Sequence, residues 1–198
     1  MEDLKIIRKL PNSTEYLTKL ITAANACDEA TIGEVFEKLE QELKKIRKES
    51  SITFERSQKM WNDPEAHFTG VRAEETRDLQ NEFDDRMDLF KLASMCNYEP
   101  AMTFEFAKMV QNLADIRERR SIRFEKTKNM RNDPEAHFRQ VQVEENMDAQ
   151  KEISDLFRLY KVAKSANYTA GMELISSKLG GITPNMIDSL SEIGKKHK

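Results

Sequence analysis

Glycine, proline, cysteine and long apolar runs are all scarce in this chain of 198 residues, which has six Gly, five Pro and two Cys. No apolar run approaches the roughly 20 residues that span a bilayer, and residues 1–10 lack the apolar stretch of a secretion signal. We therefore expect a protein of the cytoplasm, or of a virus particle if the chain is viral, with no membrane partner. Cys27 and Cys96 form no Cys-x-x-Cys motif, which favours reduced, buried thiols.

The sequence also lacks the recognised signatures of active sites, including a Gly-rich phosphate loop, Gly-x-Ser-x-Gly and His-Glu-x-x-His. His67 and His137 are the candidate catalytic or metal-binding residues. The spacing Glu65-Ala66-His67 does not place both side chains toward one site, unlike the Glu-x-x-His of di-iron bundles. We expect a protein with no catalytic residue, no metal and no cofactor.

What the chain does contain is charge: 34% of its residues are charged and 38% are apolar, with a mean hydropathy of −0.72. Apolar residues recur at helical spacing, which argues against disorder and predicts long helices with solvated faces. The formal net charge is only −3, so no polycationic field draws the whole molecule to DNA or to an anionic membrane.

Most of the sequence repeats at an offset of 70 residues. Asn62-Asp-Pro-Glu-Ala-His-Phe68 recurs unchanged as Asn132-Asp-Pro-Glu-Ala-His-Phe138, and Asn97-Tyr98 recurs as Asn167-Tyr168. Seven consecutive identities indicate an internal duplication. The boundaries that follow are an N-terminal helix at 1–28, repeats at 29–98 and 99–168, and a partial repeat with a C-terminal helix at 169–198.

Two kinds of turn divide each repeat into helices. At the first, Asp63 and Asp133 suit the N-cap and Pro64 and Pro134 suit the first helical position. The residues that we assign to this structural turn are Asn62, Asp63, Pro64, His67 and Phe68, together with Asn132, Asp133, Pro134, His137 and Phe138.

The second kind of turn follows Asn97 and Asn167. Each asparagine suits the left-handed position after a helix, and Glu99 or Thr169 is predicted to cap the next helix. The predicted helices span 13–26, 29–60, 64–96, 99–130, 134–166 and 169–179, with a short terminal helix beginning near Thr183.

Apolar residues form a coiled-coil-like seam in the first half of two of these helices. The predicted seam residues are Ile32, Phe36, Leu39, Leu43 and Ile46, and then Phe106, Met109, Leu113 and Ile116. We also expect Met102, Met109, Met147 and Met172 to fill the core. Because the seams become polar beyond Ile46 and Ile116, each hairpin has little apolar area of its own near the Asn-Asp-Pro turn.

The helix that enters each Asn-Asp-Pro turn is basic and the helix that leaves it is acidic. Residues 44–59 hold six basic and two acidic residues, and 117–131 hold seven and two. Antiparallel pairing would set these charges side by side, so neutralisation by the neighbouring helix is one reading. Contact with phosphate or an acidic partner is the other. The residues that this second reading names are Lys44, Lys45, Arg47, Lys48, Arg117, Arg119, Arg120 and Arg123.

Residues 23–39 resemble the central helical hairpin of tailed-phage small terminase subunits. The stretch Ala23-Ala-Asn-Ala-Cys-Asp-Glu29 is followed by Glu34-Val-Phe36 and then by a basic helix, and Asn97 to Asp115 looks like a second copy. The resemblance implies a non-catalytic oligomer that works in virus assembly, presenting helices to DNA, a motor or a shell. The duplication and the Asn-Asp-Pro turn depart from that family's pattern, and no N-terminal helix-turn-helix is evident.

We therefore predict an all-α fold of elongated, antiparallel helical hairpins from an internal 70-residue duplication. The predicted function is a non-enzymatic, self-associating structural or assembly protein, such as a scaffold or small-terminase-like protein of a phage or mobile element. An adaptor or inhibitor that binds another protein through one repeat face is an alternative. Nucleic-acid binding by the basic helix segments is another.

Overall fold

The computed structural model describes residues 10, 12–58, 64–128 and 134–180, and the side chains of 10, 12–49, 74–119, 143 and 146–180. This part of the chain is all helical: α1 is Ser13–Asn25, α2 Glu29–Gln58, α3 Pro64–Met95, α4 Glu99–Lys128, α5 Pro134–Ser165 and α6 Thr169–Lys178. The all-α prediction is confirmed, and each of these bounds lies within two residues of its predicted position. The predicted terminal helix near Thr183 lies outside the described residues.

The chain forms two compact units, 1–123 and 124–198. The boundary lies inside the predicted repeat 99–168, so the compact units and the sequence repeats divide the chain differently. In the first unit α1 packs on α2, and in the second α5 packs on α6. The internal duplication itself stays a prediction.

The predicted seams form the core of the first unit. Leu39, Leu43 and Met109 are almost fully buried, as are Phe83 and Phe90 of α3. The rings of Phe90 and Phe106 lie 5.7 Å apart and link α3 to α4. Burying aromatic and aliphatic side chains of this size contributes about 1.5–3 kcal/mol each. The apolar periodicity of α2 and α4 therefore identified the packed faces correctly.

In the second unit, the core lies on one face of α5 and on α6. Leu159, Tyr160 and Ala163 of α5 and Ile175 of α6 are almost fully shielded from solvent. Met102 and Met109 are buried as predicted, but Met147 is 64% exposed, so its assignment to the core is wrong. Val143, one turn earlier on α5, is 56% exposed, which places both residues on a face that the fold leaves open.

Three helices end in the same left-handed turn. Cys27, Asn97 and Asn167 have φ values of 54°, 51° and 53°. In each turn the next residue donates its backbone N–H to a carbonyl five residues earlier, at 2.9, 2.9 and 2.8 Å. This is a Schellman motif, which satisfies carbonyls that the helix end leaves free. The left-handed positions predicted for Asn97 and Asn167 are confirmed.

The predicted caps after these turns are wrong. Glu99 is the first residue of α4, and Thr169 is the first residue of α6, whose cap position is Tyr168 with no side-chain hydrogen bond. Only the first copy has the expected chemistry: Asp28 accepts a hydrogen bond from the backbone N–H of Thr31 at 3.1 Å. This bond and the Thr31 hydroxyl lower the pKa of Asp28.

Replacement of Cys27 tests the cost of the first left-handed turn. A non-glycine residue in this conformation costs about 1–2 kcal/mol, and Gly relieves the clash. We expect Cys27→Gly to raise the free energy of unfolding by up to about 1 kcal/mol, and Cys27→Asn to raise it less, as measured by urea denaturation. Asn97→Gly is the matched control, where a smaller gain is expected. A loss of stability in Cys27→Gly would contradict the strain argument.

Candidate functional site

A buried cluster of charged side chains joins α2, α3 and α4 within the first unit. Its centre is Arg86 of α3, whose side chain is only 5% exposed. Arg86 Nη1 donates to Glu40 Oε1 of α2 at 3.0 Å and to Glu105 Oε2 of α4 at 2.9 Å. Arg86 Nε donates to Glu82 Oε1 at 2.9 Å, and Arg47 Nη1 reaches the same oxygen at 2.9 Å. Five charged residues from three helices thus meet around one guanidinium.

The cluster has three carboxyl groups for two guanidinium groups. Glu105 is the deepest, with 1% of its side chain exposed. Burial and the neighbouring Glu40 carboxylate raise the pKa of Glu105 to about 8, although Arg86 acts in the opposite direction. Burial would lower the pKa of Arg86, but Glu105, Glu40 and Glu82 together raise it. Near neutral pH the cluster therefore holds one proton on its carboxyl groups and carries no net charge.

Glu40 and Glu105 have the geometry of a carboxyl pair that shares this proton. Glu40 Oε2 is buried and has no hydrogen-bond partner among the described residues. The Glu105 carboxyl lies within hydrogen-bonding reach of Glu40, and only a protonated acid can donate to a carboxylate. A proton between them satisfies an oxygen that would otherwise be buried without a partner.

Helix packing does not by itself require these charges. Seventy residues later, the sequence has Val110 for Glu40, Leu156 for Arg86 and Ile175 for Glu105. Leu156 and Ile175 are buried, as Arg86 and Glu105 are. Apolar residues thus serve at two of these positions elsewhere in the chain, whereas the first copy bears a charged set that is costly to bury.

A groove of about 420 Å³ opens beside the cluster, between α2 and the start of α4. Its α2 wall includes Gly33, Glu37, Gln41 and Lys44, and Glu40 and Glu105 also line it. The aromatic lining is Phe36, Tyr98 and Phe104. The Phe36 and Tyr98 rings stack with centroids 6.0 Å apart, and Phe104 is 46% exposed. A Cβ at position 33 would lie 2.9 Å from the Tyr98 hydroxyl, so glycine allows this close approach.

The basic residues predicted to contact a partner or nucleic acid have different surroundings. Arg47 is mostly buried on Glu82, and Arg119 Nη1 donates to Glu75 Oε2 of α3 at 2.7 Å. Burial lowers the pKa of Arg47. Lys44, Lys45, Lys48 and Arg117 are exposed, and the side chains of Arg120 and Arg123 lie outside the described residues. Neutralisation by a neighbouring helix thus holds for Arg47 and Arg119.

The predicted structural turns can be followed only at their edges. Helices α3 and α5 begin at Pro64 and Pro134, but Asn62, Asp63, Asn132 and Asp133 lie outside the described residues. His67, Phe68, His137 and Phe138 belong to the first turns of these helices, and their side chains also lie outside the description. The roles assigned to these residues stay predictions.

The two cysteines are both free, as predicted, but their predicted burial is wrong. Cys27 is exposed because it occupies the left-handed turn between α1 and α2. Cys96 is half-buried, and burial raises the pKa of its thiol. Neither therefore has the environment of an activated thiolate.

The described residues contain no group of three or more His, Cys, Asp or Glu side chains arranged to hold a metal ion. In the same part of the chain, we find no helix with the length and apolar character needed to cross a membrane. Comparison of the sequence and fold with protein-family models, curated proteins and solved structures finds no match. The comparisons therefore neither support nor oppose the resemblance to small terminase subunits.

Proposed function

We propose that this chain is a non-enzymatic helical protein that assembles with copies of itself through exposed helix faces. The observation that carries the proposal is the open face of α5. Val143 and Met147 lie one turn apart and are 56% and 64% exposed, while the buried residues of α5, such as Leu159 and Ala163, lie on its other side. Neighbouring apolar side chains on an exposed helix face favour packing against another helix.

The charge pattern of the first unit supports the same proposal. Arg47 and Arg119 pair with Glu82 and Glu75, so two of the arginines that nucleic-acid binding would use already have carboxylate partners. Exposed charges that remain on the helices would select the partner and the register of an assembly. Together with the terminase resemblance, this leads us to place the assembly in the construction of a virus or mobile-element particle.

Light scattering on the purified chain tests self-association. We expect an average mass that exceeds the 23.0 kDa of one chain and rises with protein concentration. Val143→Ser with Met147→Ser should lower that mass, because the double change removes most of the exposed apolar surface at this point of α5.

The matched control is Ile21→Ser, which removes an exposed apolar side chain from α1. It should leave the mass unchanged, with helix content checked by circular dichroism for every variant. A mass of 23.0 kDa at all micromolar concentrations would refute the proposal.

A further inference from the structure

The groove between α2 and α4 has a self-complementary pattern of charge. Glu37 and Lys44, both exposed, lie seven residues apart on the face of α2 that lines the groove, with Gln41 between them. Seven residues are two helical turns, or about 10 Å along the axis, so the two charges point the same way without touching. A surface with one positive and one negative end can match a copy of itself turned by a half rotation.

We propose that this groove is a dimer interface, in which α2 of one copy lies antiparallel to α2 of a second copy. The twofold axis would pass near Gln41, so that Glu37 of each copy faces Lys44 of the other. This inference rests on the proposed function, since it names where the chain meets its own copy. The second copy occupies the groove because the two charges complement each other only when the helix direction is reversed.

The apolar part of the groove supplies the contact area for the same dimer. Phe104 is 46% exposed at the lip of the groove, close to Pro100 on the same face of α4. An aromatic side chain held open beside a groove is typical of residues that anchor an interface. Its only described partner contact is a cation–π contact with Lys108, whose ammonium lies 5.7 Å from the ring centroid. Phe104 is thus available to pack against the second copy.

The charges that define this groove belong to the first copy of the sequence repeat. At an offset of 70 residues, Glu37 becomes Ala107 and Lys44 becomes Ala114. Both alanines are compatible with a helix, so neither charge is needed for α2 to form. The first copy therefore has a charge pair that specifies a partner, and the later copy lacks it.

Charge reversal with rescue tests the interface in the full-length chain. Glu37→Lys would oppose two lysines at each of two symmetric positions, and Lys44→Glu would oppose two glutamates. We expect each single change to weaken dimerisation by about tenfold or more in sedimentation equilibrium. The double variant E37K/K44E restores opposite charges at both positions, so its dissociation constant should return to within about threefold of the original. Phe104→Gln should weaken the dimer without any rescue.

The control is Lys45→Glu, which makes the same change of charge at an exposed position of α2 that does not line the groove. It should change the dissociation constant by less than about threefold. A chain that associates but is indifferent to Glu37→Lys and Lys44→Glu would overturn this interface while leaving the proposed function intact. A double variant that is weaker than both single variants would overturn it as well, and a monomeric parent chain would remove both proposals.

Discussion

Arg86→Leu should lower the free energy of unfolding by about 3–5 kcal/mol, because it leaves buried carboxyl groups without their cation. Arg86 is the only described cation that bonds to Glu40 and Glu105, and Glu105 is 1% exposed. Urea denaturation followed by circular dichroism measures the loss. A variant as stable as the parent would show that the cluster is solvated rather than buried.

The triple variant E40V/R86L/E105I should recover this loss. It introduces the three residues found 70 positions later, Val110, Leu156 and Ile175. Replacing a whole buried ionic cluster with apolar residues of similar volume is neutral or stabilising by up to about 4 kcal/mol. The expected order of stability is therefore the single variant lowest, with the parent and the triple variant above it.

The retained pair of Arg47 and Glu82 serves as the internal control in the triple variant. Their atoms Nη1 and Oε1 lie 2.9 Å apart and remain paired when the other three residues are changed. Recovery would show that the charges at Glu40, Arg86 and Glu105 are not needed to hold the fold together. A triple variant as unstable as Arg86→Leu would instead mean that the ionic cluster holds α2, α3 and α4 together.

Local features of the sequence predicted the helices well, because each boundary depends on residues that act on their own backbone. Proline at the start of α3 and α5 and asparagine in the left-handed turns have such effects, and the structure places them as expected. The apolar seam of α2 was equally predictable, since a period of 3.6 residues reports directly which face is buried. The wrong caps at Glu99 and Thr169 arose because a helix can begin without a side-chain cap.

The buried cluster was not predicted from the sequence. Glu40 and Arg86 are 46 residues apart, and Arg86 and Glu105 are 19 apart, so no local pattern connects them. Each looks like one more charge on a charged helix. The available signal was the repeat itself, since apolar residues stand at the matching positions 70 residues later. The same comparison would have placed Cys27 in the left-handed turn, opposite Asn97 and Asn167.

The carboxyl pair predicts an uncommon dependence of stability on pH. The folded state holds a proton on Glu105 up to about pH 8, whereas the unfolded chain releases it near its ordinary value of about 4.3. Between these limits the folded state binds more protons, so the free energy of unfolding decreases as pH rises. Above about pH 8 this contribution is constant, and the folded state holds an additional buried negative charge. Asp28 has the opposite behaviour, because its lowered pKa adds stability that is lost only as the solution becomes acidic.

Glu105→Gln isolates the contribution of the pair. Glutamine has nearly the same shape, its amide can donate to Glu40 Oε2, and its oxygen can accept from Arg86 Nη1, but it cannot ionise. Urea denaturation at about pH 5, 7 and 9 should show that the stability of the variant relative to the parent rises with pH. Glu118→Gln, an exposed change on the same helix, should leave the difference flat. If Glu105→Gln also gave a flat difference, Glu105 would be ionised throughout this range, and the buried cluster would carry a net negative charge because Arg47 and Arg86 could balance only two of its three carboxylates.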